Sequence, residues 1–520
     1  MKVFTILTAI LLLSILTTQA QAPTIEWQKS FGGSGDDRAY SIKQTSDGGY
    51  IVAGYSYSND GDVNGNYGYA DYWIVKLNAN GDTTWTKSYG GLYVDYAYSI
   101  SQTNDGGYIV AGTTSSTDGD ISGNNGQNDY WILKLNAIGD TLWTKCLGGS
   151  RNESAYSISQ ISDGGYIIAG FSSSNDGDVS GNNGNVGNAD YWIVKLNEIG
   201  DTLWTKCLGG SNGDYANYIS QTSDGGYIVA GYSYSNDGYV SGNHGQYDYW
   251  IVKIDAIGDT LWTKCLGGSR NETTKSISQT SDGGYIVAGF SNSSDGDVSV
   301  NKDSSDAWIV KLNATGDTLW TKCLGGSDHD YAWSIKQTTD GGYIIAGFSS
   351  SNDGDVSGNH GNSDYWIVKL NAIGDTLWTK CLGGSNSDDA RSINQTSDGG
   401  YIVAGISRSN DGDVSGNHGG SDYWIVKLSP DTLTSVPEIN QKDLFSLYPN
   451  PAKNNVQLIM SNEQLKNVRI EIVSITGKTV YTSSLRGTKQ AIDLSNQAKG
   501  IYFVKLIGEG FVSVEKLVLE

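Results

Sequence analysis

A seven-fold internal repeat dominates this sequence and limits the folds that it can adopt. Each copy contains W-x-K-x-x-G-G, then D-G-G-Y-I-V-A-G and then W-I-V-K-L, with small changes. The period is 58 residues, with one three-residue insertion near Gly187 in the third copy. The aspartates that open the second motif are Asp47, Asp105, Asp163, Asp224, Asp282, Asp340 and Asp398. A fixed period of this length is typical of solenoids and propellers, which repeat one supersecondary unit.

Each copy has the hydrophobic alternation of four short β-strands. In the second copy these are residues 97–103, 108–113, 130–135 and 141–147, separated by Asp-, Asn- and Gly-rich turns. Four antiparallel strands without a helical pattern predict a propeller blade, and the fold class is therefore all-β. The first copy opens with a fourth strand only, at residues 25–31, and the last stops after its third strand at Leu428. The N-terminal strand is expected to complete the last blade and close a seven-bladed ring of four-stranded blades.

The repeat also resembles a known family. Its units over residues 27–428 resemble the family's pattern of W-x-x-x-x-G-G, D-G-x-Y-V-x-G and D-x-[WF]-x-x-K. This pattern is similar to the seven-bladed β-propeller repeats of secreted bacterial proteins. The resemblance implies the fold and an extracellular location, but no particular ligand.

The segment before the repeats predicts export. Lys2 precedes an apolar run from Val3 to Leu13, and small residues follow up to Ala20. This is the pattern of a secretory signal peptide over residues 1–20, cleaved after Ala20. The run is too short for a membrane span, and no other segment has enough apolar residues for one. The mature chain is expected to be soluble, exported and monomeric.

The composition changes after the repeats. Residues 430–443 are polar and predict a linker between the propeller at 21–429 and a module at 444–520. The module contains Y-P-N-P, G-I-Y and a terminal K-L-V-L in that order. It resembles the type A C-terminal sorting domain of type IX secretion substrates from Bacteroidetes-type bacteria. The resemblance implies a small Ig-like β-sandwich, contact with the type IX machinery, and release from the cell or anchoring at the outer membrane surface. An accessory binding sandwich is the alternative.

The net charge indicates which ligands the chain favours, and the cysteine positions indicate whether it forms disulfides. The formal net charge is −22, and the acidic excess lies in the repeats. Such a surface disfavours nucleic acid and anionic membranes and favours cations or neutral ligands. The cysteines are odd in number and occupy one repeat position, which predicts free, buried thiols rather than disulfides. They are Cys146, Cys207, Cys265, Cys323 and Cys381.

Two sets of residues hardly vary between copies and are predicted to be structural. The first consists of the tryptophans of W-I-V-K-L, from Trp73 to Trp424, and those of W-x-K, from Trp27 to Trp378; both are expected between blades. The second is an acid at the start of each inner strand, expected to accept hydrogen bonds from loop amides near Gly32 and Gly33. A cation on the ring axis is the alternative. The acids are Asp37, Asp95, Glu153, Asp214, Glu272, Asp330 and Asp388.

The loop between the second and third strands carries the pattern of a calcium loop. In the first copy Asp60, Asp62 and Asn64 alternate before Gly65, and Asp71 occupies the twelfth position. Oxygen ligands on alternate residues with a closing carboxylate are typical of Ca²⁺ loops, although the closing Asp is shorter than the usual Glu. A solvated Asn/Asp/Gly turn is the alternative. The other matching acids are Asp118, Asp120 and Asp129; Asp353, Asp355 and Asp364; and Asp411, Asp413 and Asp422.

Positions that vary inside an otherwise constant repeat are where specificity is expected, and one of them lies two residues before the isoleucine of the inner strand. The residues there are Tyr40, Tyr98, Tyr156, Asn217, Lys275, Trp333 and Arg391. Most are aromatic or cationic, and they are predicted to form a ring at one end of the central channel, where propellers usually bind ligands. Ordinary surface variation is the alternative reading.

Signals for catalysis are weak. None of His244, His329, His360 and His418 has a nucleophile or second histidine at a telling spacing. A glycoside hydrolase or lyase would need a pair of repeat-breaking carboxylates, for which Asp328 and Asp389 are candidates. The sequence therefore favours a non-catalytic binding protein for a glycan or a protein ligand, with a secreted polysaccharide-degrading enzyme as the alternative.

Overall fold

The computed structural model describes residues 21–184, 187–298, 301, 304–431, 445–460, 468–474, 478–485, 487–508 and 511–520. The predicted signal peptide at 1–20 and residues 432–443 of the predicted linker lie outside these ranges. Two compact units are present, Met1–Thr432 and Leu433–Glu520. Every helix or strand among the described residues is a β-strand, which confirms the all-β class.

The first unit contains strands β1–β28, numbered in chain order, and each repeat contributes strands of 7 or 8 residues. The innermost strands are Asp37–Gln44 (β2), Asp95–Gln102 (β6), Glu153–Gln160 (β10), Asp214–Gln221 (β14), Glu272–Gln279 (β18), Asp330–Gln337 (β22) and Asp388–Gln395 (β26). The second strands are Tyr50–Ser56 (β3), Tyr108–Thr114 (β7), Tyr166–Ser172 (β11), Tyr227–Ser233 (β15), Tyr285–Ser291 (β19), Tyr343–Ser349 (β23) and Tyr401–Ser407 (β27). The third strands are Asp71–Leu77 (β4), Asp129–Leu135 (β8), Asp190–Leu196 (β12), Asp248–Ile254 (β16), Asp306–Leu312 (β20), Asp364–Leu370 (β24) and Asp422–Leu428 (β28). The outermost strands are Ile25–Phe31 (β1), Thr83–Tyr89 (β5), Thr141–Leu147 (β9), Thr202–Leu208 (β13), Thr260–Leu266 (β17), Thr318–Leu324 (β21) and Thr376–Leu382 (β25).

These strands form four-stranded antiparallel sheets in a propeller-like series, as the repeat predicts. Six sheets follow chain order, for example β2-β3-β4-β5. The remaining sheet has the order β1-β28-β27-β26, so it joins the first strand of the unit to its last three. Ser30 lies opposite Trp424 in this pairing, and the Ser429 amide donates to the carbonyl of Thr24 at 2.9 Å just beyond it.

The core lies between consecutive sheets rather than at one centre. Each apolar cluster of this unit combines residues of two sheets, and one cluster joins Tyr423 of the last sheet to Trp73 of the first. The Tyr423 hydroxyl donates to the Trp73 carbonyl at 2.9 Å. The same bond recurs between other neighbouring sheets, such as Tyr130 to Trp192 at 2.8 Å. The W-I-V-K-L tryptophans are buried, as predicted. Six of them lie against the tyrosine of the preceding sheet, whereas Trp366 shares its cluster with Ala307 at that position.

An ion pair inside each sheet explains two further constant residues of the repeat. The buried lysine of W-I-V-K-L reaches the aspartate of D-G-G-Y, as in Lys76 and Asp47 at 2.9 Å. Burial acts to raise the pKa of Asp47, but hydrogen bonds from Lys76 and Thr45 lower it to about 2. The pair therefore fixes the turn between β2 and β3 to the third strand.

The second unit is a pair of sheets around its own core. Its strands are Phe445–Tyr448 (β29), Asn455–Met460 (β30), Arg469–Ser474 (β31), Thr479–Ser484 (β32), Lys489–Asp493 (β33), Gly500–Gly508 (β34) and Phe511–Leu519 (β35). One sheet has the order β29-β30-β33 and the other β32-β31-β34-β35. Leu458 of the first sheet and Ile470 and Val504 of the second belong to one buried cluster. No helix among the described residues of the chain is long and apolar enough to cross a membrane.

Candidate functional site

A β-bulge in each innermost strand positions the seven variable residues. In the first sheet Ala39 lies opposite Gly54 and Ser41 opposite Ala53, so Tyr40 is the extra residue between them. Gly54 is required here because a Cβ atom would lie 1.9 Å from the Arg38 carbonyl oxygen. The register shifts at the same place in the other six sheets. A bulge bends the strand and redirects a side chain, and here the redirected side chain belongs to a position that varies between copies.

All seven variable residues line a single cavity. Its volume is about 480 Å³, and residues of all seven innermost strands contribute to its wall. A cavity of this size is in the range of small-molecule sites. Tyr40, Tyr98, Tyr156, Asn217, Lys275, Trp333 and Arg391 are each half-buried there. The structure therefore brings together the residues that the sequence nominated for ligand binding.

The variable residues touch one another around the cavity and form what we call the bulge level. The Tyr40 and Tyr98 rings are 5.2 Å apart, and Tyr98 lies 5.0 Å from Tyr156. On the other side the Trp333 ring is between two cations, with Lys275 Nζ at 4.6 Å and the Arg391 guanidinium carbon at 3.9 Å from its centroid. These contacts hold cations against aromatic faces, which is favourable where water is excluded.

A second level consists mostly of serines, one residue further along each strand. The Ser41 hydroxyl accepts from the amide of Ile100 at 3.4 Å in the neighbouring strand, and the Ser99 hydroxyl accepts from that of Ile158 at 3.2 Å. Tyr218 replaces serine in the fourth sheet. We call this the serine level; it presents hydroxyl groups to the cavity.

A third level, two residues beyond the serines, carries two lysines. Lys336 donates to the Tyr218 hydroxyl at 2.7 Å and lies 4.7 Å from the centre of its ring. Lys43 lines the same part of the cavity. The sequence reasoning did not select Lys43, Lys336 or Tyr218. The available signal was that each departs from the serine found at its position in most other copies.

The ionisable groups of the cavity influence one another. Burial and the neighbouring Arg391 lower the pKa of Lys275 to about 7. Burial and the charge of Lys336 lower the pKa of Lys43 to about 8. Burial acts to raise the pKa of Tyr218, but the charges of Lys336 and Lys43 outweigh it and lower that pKa to about 8. These groups respond to charge in the cavity near neutral pH.

The charged residues that line the cavity are cationic, whereas the net charge of the chain is negative. Its described lining contains Lys43, Lys275, Lys336 and Arg391 and no aspartate or glutamate, whereas the net charge of −22 favours cations or neutral ligands. That expectation stays a prediction, but the wall of this cavity is cationic because the inner-strand and loop acids lie outside its lining. Net charge describes the average surface and does not determine the local potential of an enclosed site.

The acids at the start of the innermost strands bind loop amides, as predicted, and do not line the cavity. Asp37 Oδ2 accepts from the Gly33 amide at 2.8 Å and from the Ser58 hydroxyl at 2.8 Å. The other six strands repeat the glycine contact at 2.7 to 2.9 Å. The alternative of a cation held by these acids on the axis is therefore wrong, since they are fully buried beside the loops.

A second buried carboxyl lies beside each of these acids. Asp71 of one sheet and Asp95 of the next flank Gly90, where a Cβ atom would lie 2.3 Å from Asp71 Oδ1 and 2.8 Å from Asp95 Oδ2. Burial and then the charges of Asp95 and Asp120 raise the pKa of Asp71 to about 7, against a hydrogen bond from Tyr67 that lowers it. The first glycine of G-G is therefore required by two approaching carboxyls.

The acids of the predicted calcium loops receive backbone amides. Asp60 accepts from Ser34 at 2.7 Å, Asp62 from Gly32 at 3.3 Å and Asp71 from Tyr67 at 2.8 Å, whereas Asn64 is exposed. The same three contacts recur in the second, sixth and seventh copies, at Asp118, Asp120, Asp129, Asp353, Asp355, Asp364, Asp411, Asp413 and Asp422. No group of three or more His, Cys, Asp or Glu side chains in the described part of the chain could hold a metal ion. Calcium binding stays a prediction.

The two carboxylate candidates for catalysis lie outside the cavity lining. Asp389 is paired with Arg391 at 3.0 Å, and Asp328 is exposed; neither belongs to the lining. His244, His360 and His418 each place Nδ1 within 2.9 Å of a buried aspartate four residues later. None of the five cysteines forms a disulfide, in agreement with the sequence. Cys207, Cys265 and Cys381 are buried as predicted, whereas Cys146 and Cys323 are half-buried.

Aromatic side chains continue outward from the bulge level. Tyr55 stacks on Tyr40 with ring centres 5.6 Å apart, and Tyr96 lies 4.1 Å from Tyr55. In the fourth sheet Tyr234 is 4.7 Å from Tyr247, and 42 % of its surface is exposed. Such rings offer apolar faces with polar edges to a ligand that enters the cavity.

Comparison with protein families identifies the C-terminal module. Residues 446–520 match the family described as "Secretion system C-terminal sorting domain". The chain is therefore a type IX secretion substrate that is extracellular or anchored at the cell surface. The match agrees with the resemblance seen in the motifs of residues 444–520.

Comparisons of the whole chain find distant similarities. The "Regulatory protein FlaEY" of Caulobacter vibrioides is 27 % identical over 187 residues, which are 34 % of this chain and 19 % of that protein. The chain thus spans about a fifth of the length of this relative. Two solved structures are similar at low identity. The extracellular domain of BT4673 from B. thetaiotaomicron is 12 % identical, with 96 % of this chain and 60 % of that chain covered and a TM-score of 0.42. PorZ, a surface component of the type IX secretion system of Porphyromonas gingivalis, is 11 % identical, with 94 % and 60 % covered and a TM-score of 0.38.

Proposed function

We propose that residues 21–429 form a seven-bladed β-propeller that binds an extracellular ligand in its central cavity without catalysis. In this proposal β1 completes the last blade, and the Ig-like sandwich at 444–520 engages the type IX machinery and is then removed or anchors the protein. The ligand is a glycan or a segment of a surface protein. The mature protein is a monomer.

One observation carries the proposal. The repeat keeps its tryptophans, glycines and acids nearly constant, yet a position with five different residue types in seven copies lies at the bulge and lines the cavity in every sheet. A position used only for packing would share the constancy of its neighbours, whereas a ligand without seven-fold symmetry requires different contacts from each sheet. The aromatic and cationic character of the residues agrees with binding.

A glycan array with the purified full chain tests this function. We expect binding to a limited set of saccharides, which Trp333→Ala or Tyr156→Ala abolishes. Tyr69→Ser is the matched control, because Tyr69 is an aromatic residue with 68 % exposure outside the cavity lining. Binding that survives both cavity variants, or that the control removes, would contradict the proposed site.

The alternative is a polysaccharide-degrading enzyme. The observation that favours it is Tyr218, a phenol with a pKa lowered to about 8 beside Lys336, since such a group can transfer a proton at neutral pH. A screen of hydrolase and lyase substrates separates the two functions. Turnover by the native chain that is lost in Tyr218→Phe would support the enzymatic function, with Tyr218 as the catalytic group. Turnover that is lost in Asp389→Asn or Asp328→Asn would also support an enzyme, with these carboxylates as the catalytic groups.

A further inference from the structure

The cavity contains more positive charge than its walls neutralise. Of its four cations, Arg391 has a carboxylate partner in Asp389. Among the described residues Lys43, Lys275 and Lys336 form no ion pair, although the buried lysines of the W-I-V-K-L motif are paired with aspartates in all seven sheets. The cavity lysines therefore differ from the W-I-V-K-L lysines, which form an ion pair with an aspartate in every sheet.

The three lysines occupy two levels of one cavity. Lys336 of the sixth sheet donates to Tyr218 of the fourth at 2.7 Å, and Lys43 of the first sheet lines the same cavity. The charge of Lys336 lowers the pKa of Lys43, and both lysines lower the pKa of Tyr218. Lys275 lies on the bulge level against Trp333. Like charges that face one another in a confined space are unfavourable when the site is empty, and an anion between them removes that repulsion.

We propose that the cavity binds the acidic group of a saccharide, a carboxylate or a sulfate ester, with Lys43, Lys336 and Tyr218 as donors on one side and Lys275 on the other. The hydroxyls of the serine level and the tyrosine faces of the bulge level then contact the sugar ring. The inference rests on the proposed function and narrows its ligand to anionic glycans.

Three features favour a saccharide over an acidic peptide. The cavity is enclosed by seven strands and holds about 480 Å³, which suits a compact ring better than a chain with a continuous backbone. Its walls offer serine hydroxyls from all seven sheets, as a polyhydroxylated ligand requires. Exposed tyrosines at the bulge side offer flat apolar faces. The titrations below also test the other class of ligand, an acidic peptide.

Calorimetric titration of the full chain with sodium sulfate at low ionic strength and pH 6.5 tests the anion site directly. We expect saturable binding with one site per chain. Lys43→Met, Lys336→Met and Lys275→Met should each weaken it about tenfold or more, the loss expected for one charged donor. Lys29→Met is the control, because Lys29 lies on the outer strand with 41 % exposure. Melting curves establish that the variants are folded. Absence of saturable binding, or equal binding by all four variants, would overturn the anion site.

A second titration identifies the chemical class with matched pairs of probes. Oligogalacturonate is compared with its methyl ester, and a sulfated galactan oligosaccharide with its desulfated form. We expect the acid member of one pair to bind at least tenfold more tightly; which pair responds distinguishes carboxylate from sulfate. Equal binding of acid and neutral members would refute the inference while the proposed binding function stands. Binding of sulfate and of a glutamate-rich peptide but of no saccharide on the array would refute the saccharide assignment instead.

Discussion

The buried carboxyl pairs between sheets predict that stability falls as pH rises through neutrality. Asp71 is fully buried, its Oδ2 accepts from the Tyr67 amide at 2.8 Å, and its Oδ1 has no hydrogen-bond partner among the residues that the structure describes. Its pKa is raised from 3.8 to about 7, chiefly by burial. A folded-state pKa above the unfolded value means that the folded state binds the proton more tightly. The stabilising contribution is thus complete below about pH 4 and is lost as the pH rises through about 7.

The magnitude follows from the shift. Each pKa unit corresponds to about 1.4 kcal/mol, so roughly three units set an upper limit of about 4 kcal/mol for the cost of ionising Asp71 in place. Asp71→Asn removes this cost, because the amide oxygen still accepts from Tyr67 and the amide nitrogen can donate towards Asp95. We compare the free energy of unfolding of the variant with that of the native chain. This difference should favour the variant by about 2 to 4 kcal/mol more at pH 8.5 than at pH 5.

Guanidinium unfolding of the full chain at pH 5 and pH 8.5, followed by tryptophan fluorescence, measures this difference. Glu198→Gln is the control, since Glu198 is exposed and its replacement should leave the pH dependence unchanged. The same effect is expected for Asp129→Asn, whose carboxyl also has a pKa raised to about 7 by burial. If Asp71→Asn and the native chain differ by the same free energy at both pH values, Asp71 does not hold a proton near neutrality and the reasoning fails.

Three further predictions concern the ring, the cavity and the loops. Tyr423→Phe and Tyr130→Phe should each lower the free energy of unfolding by about 1 kcal/mol, because each removes one hydrogen bond between neighbouring sheets. A loss of stability in Tyr130→Phe alone would contradict the contact between the last and first sheets. Sulfate binding should weaken between pH 6 and pH 9, because Lys275, Lys43 and Tyr218 all lose a proton near pH 7 to 8 while the raised pKa values of Tyr98, Tyr156 and Tyr232 keep these phenols neutral. Titrations at constant ionic strength check this, and a flat profile would exclude these donors. Calcium bound to the predicted loops should stabilise the folded state by about 2.7 kcal/mol per site at 100-fold excess over Kd, and should raise the melting temperature beyond the effect of sodium chloride at equal ionic strength. The triple change of Asp60, Asp62 and Asp71 to Asn should remove part of this shift. Identical melting curves with chelator and with calcium would show that the loops are turns without calcium.

The repeat made the sheets and their core predictable. The four strands of each copy, the buried tryptophans and the amide contacts of the inner-strand acids follow from alternation and from comparison of the copies with one another. The variable position could be found for the same reason, since a constant background makes a changing residue visible. Ala39 and Ile42 are both buried although they lie three residues apart, and this break in alternation was the available sign of the bulge.

The chemistry of the cavity could not be predicted in the same way. Tyr218 and Lys336 are 118 residues apart, and their contact depends on how distant copies face one another. A single copy gives no information on which strand positions share a level. The total charge does not show the sign of the cavity wall, because most acids serve turns, loops and junctions between sheets. The carboxyl pairs were also missed, since Asp71 and Asp95 belong to different copies.

A crystal structure of the full chain soaked with the acidic oligosaccharide that binds best is the most direct test of the central claim. The account predicts saccharide density inside the cavity, with the acidic group within hydrogen-bond distance of Lys43, Lys336 or Lys275 and a sugar ring against the tyrosines of the bulge level. Density on the outer strands or on the exposed loops, with an empty cavity, would contradict it.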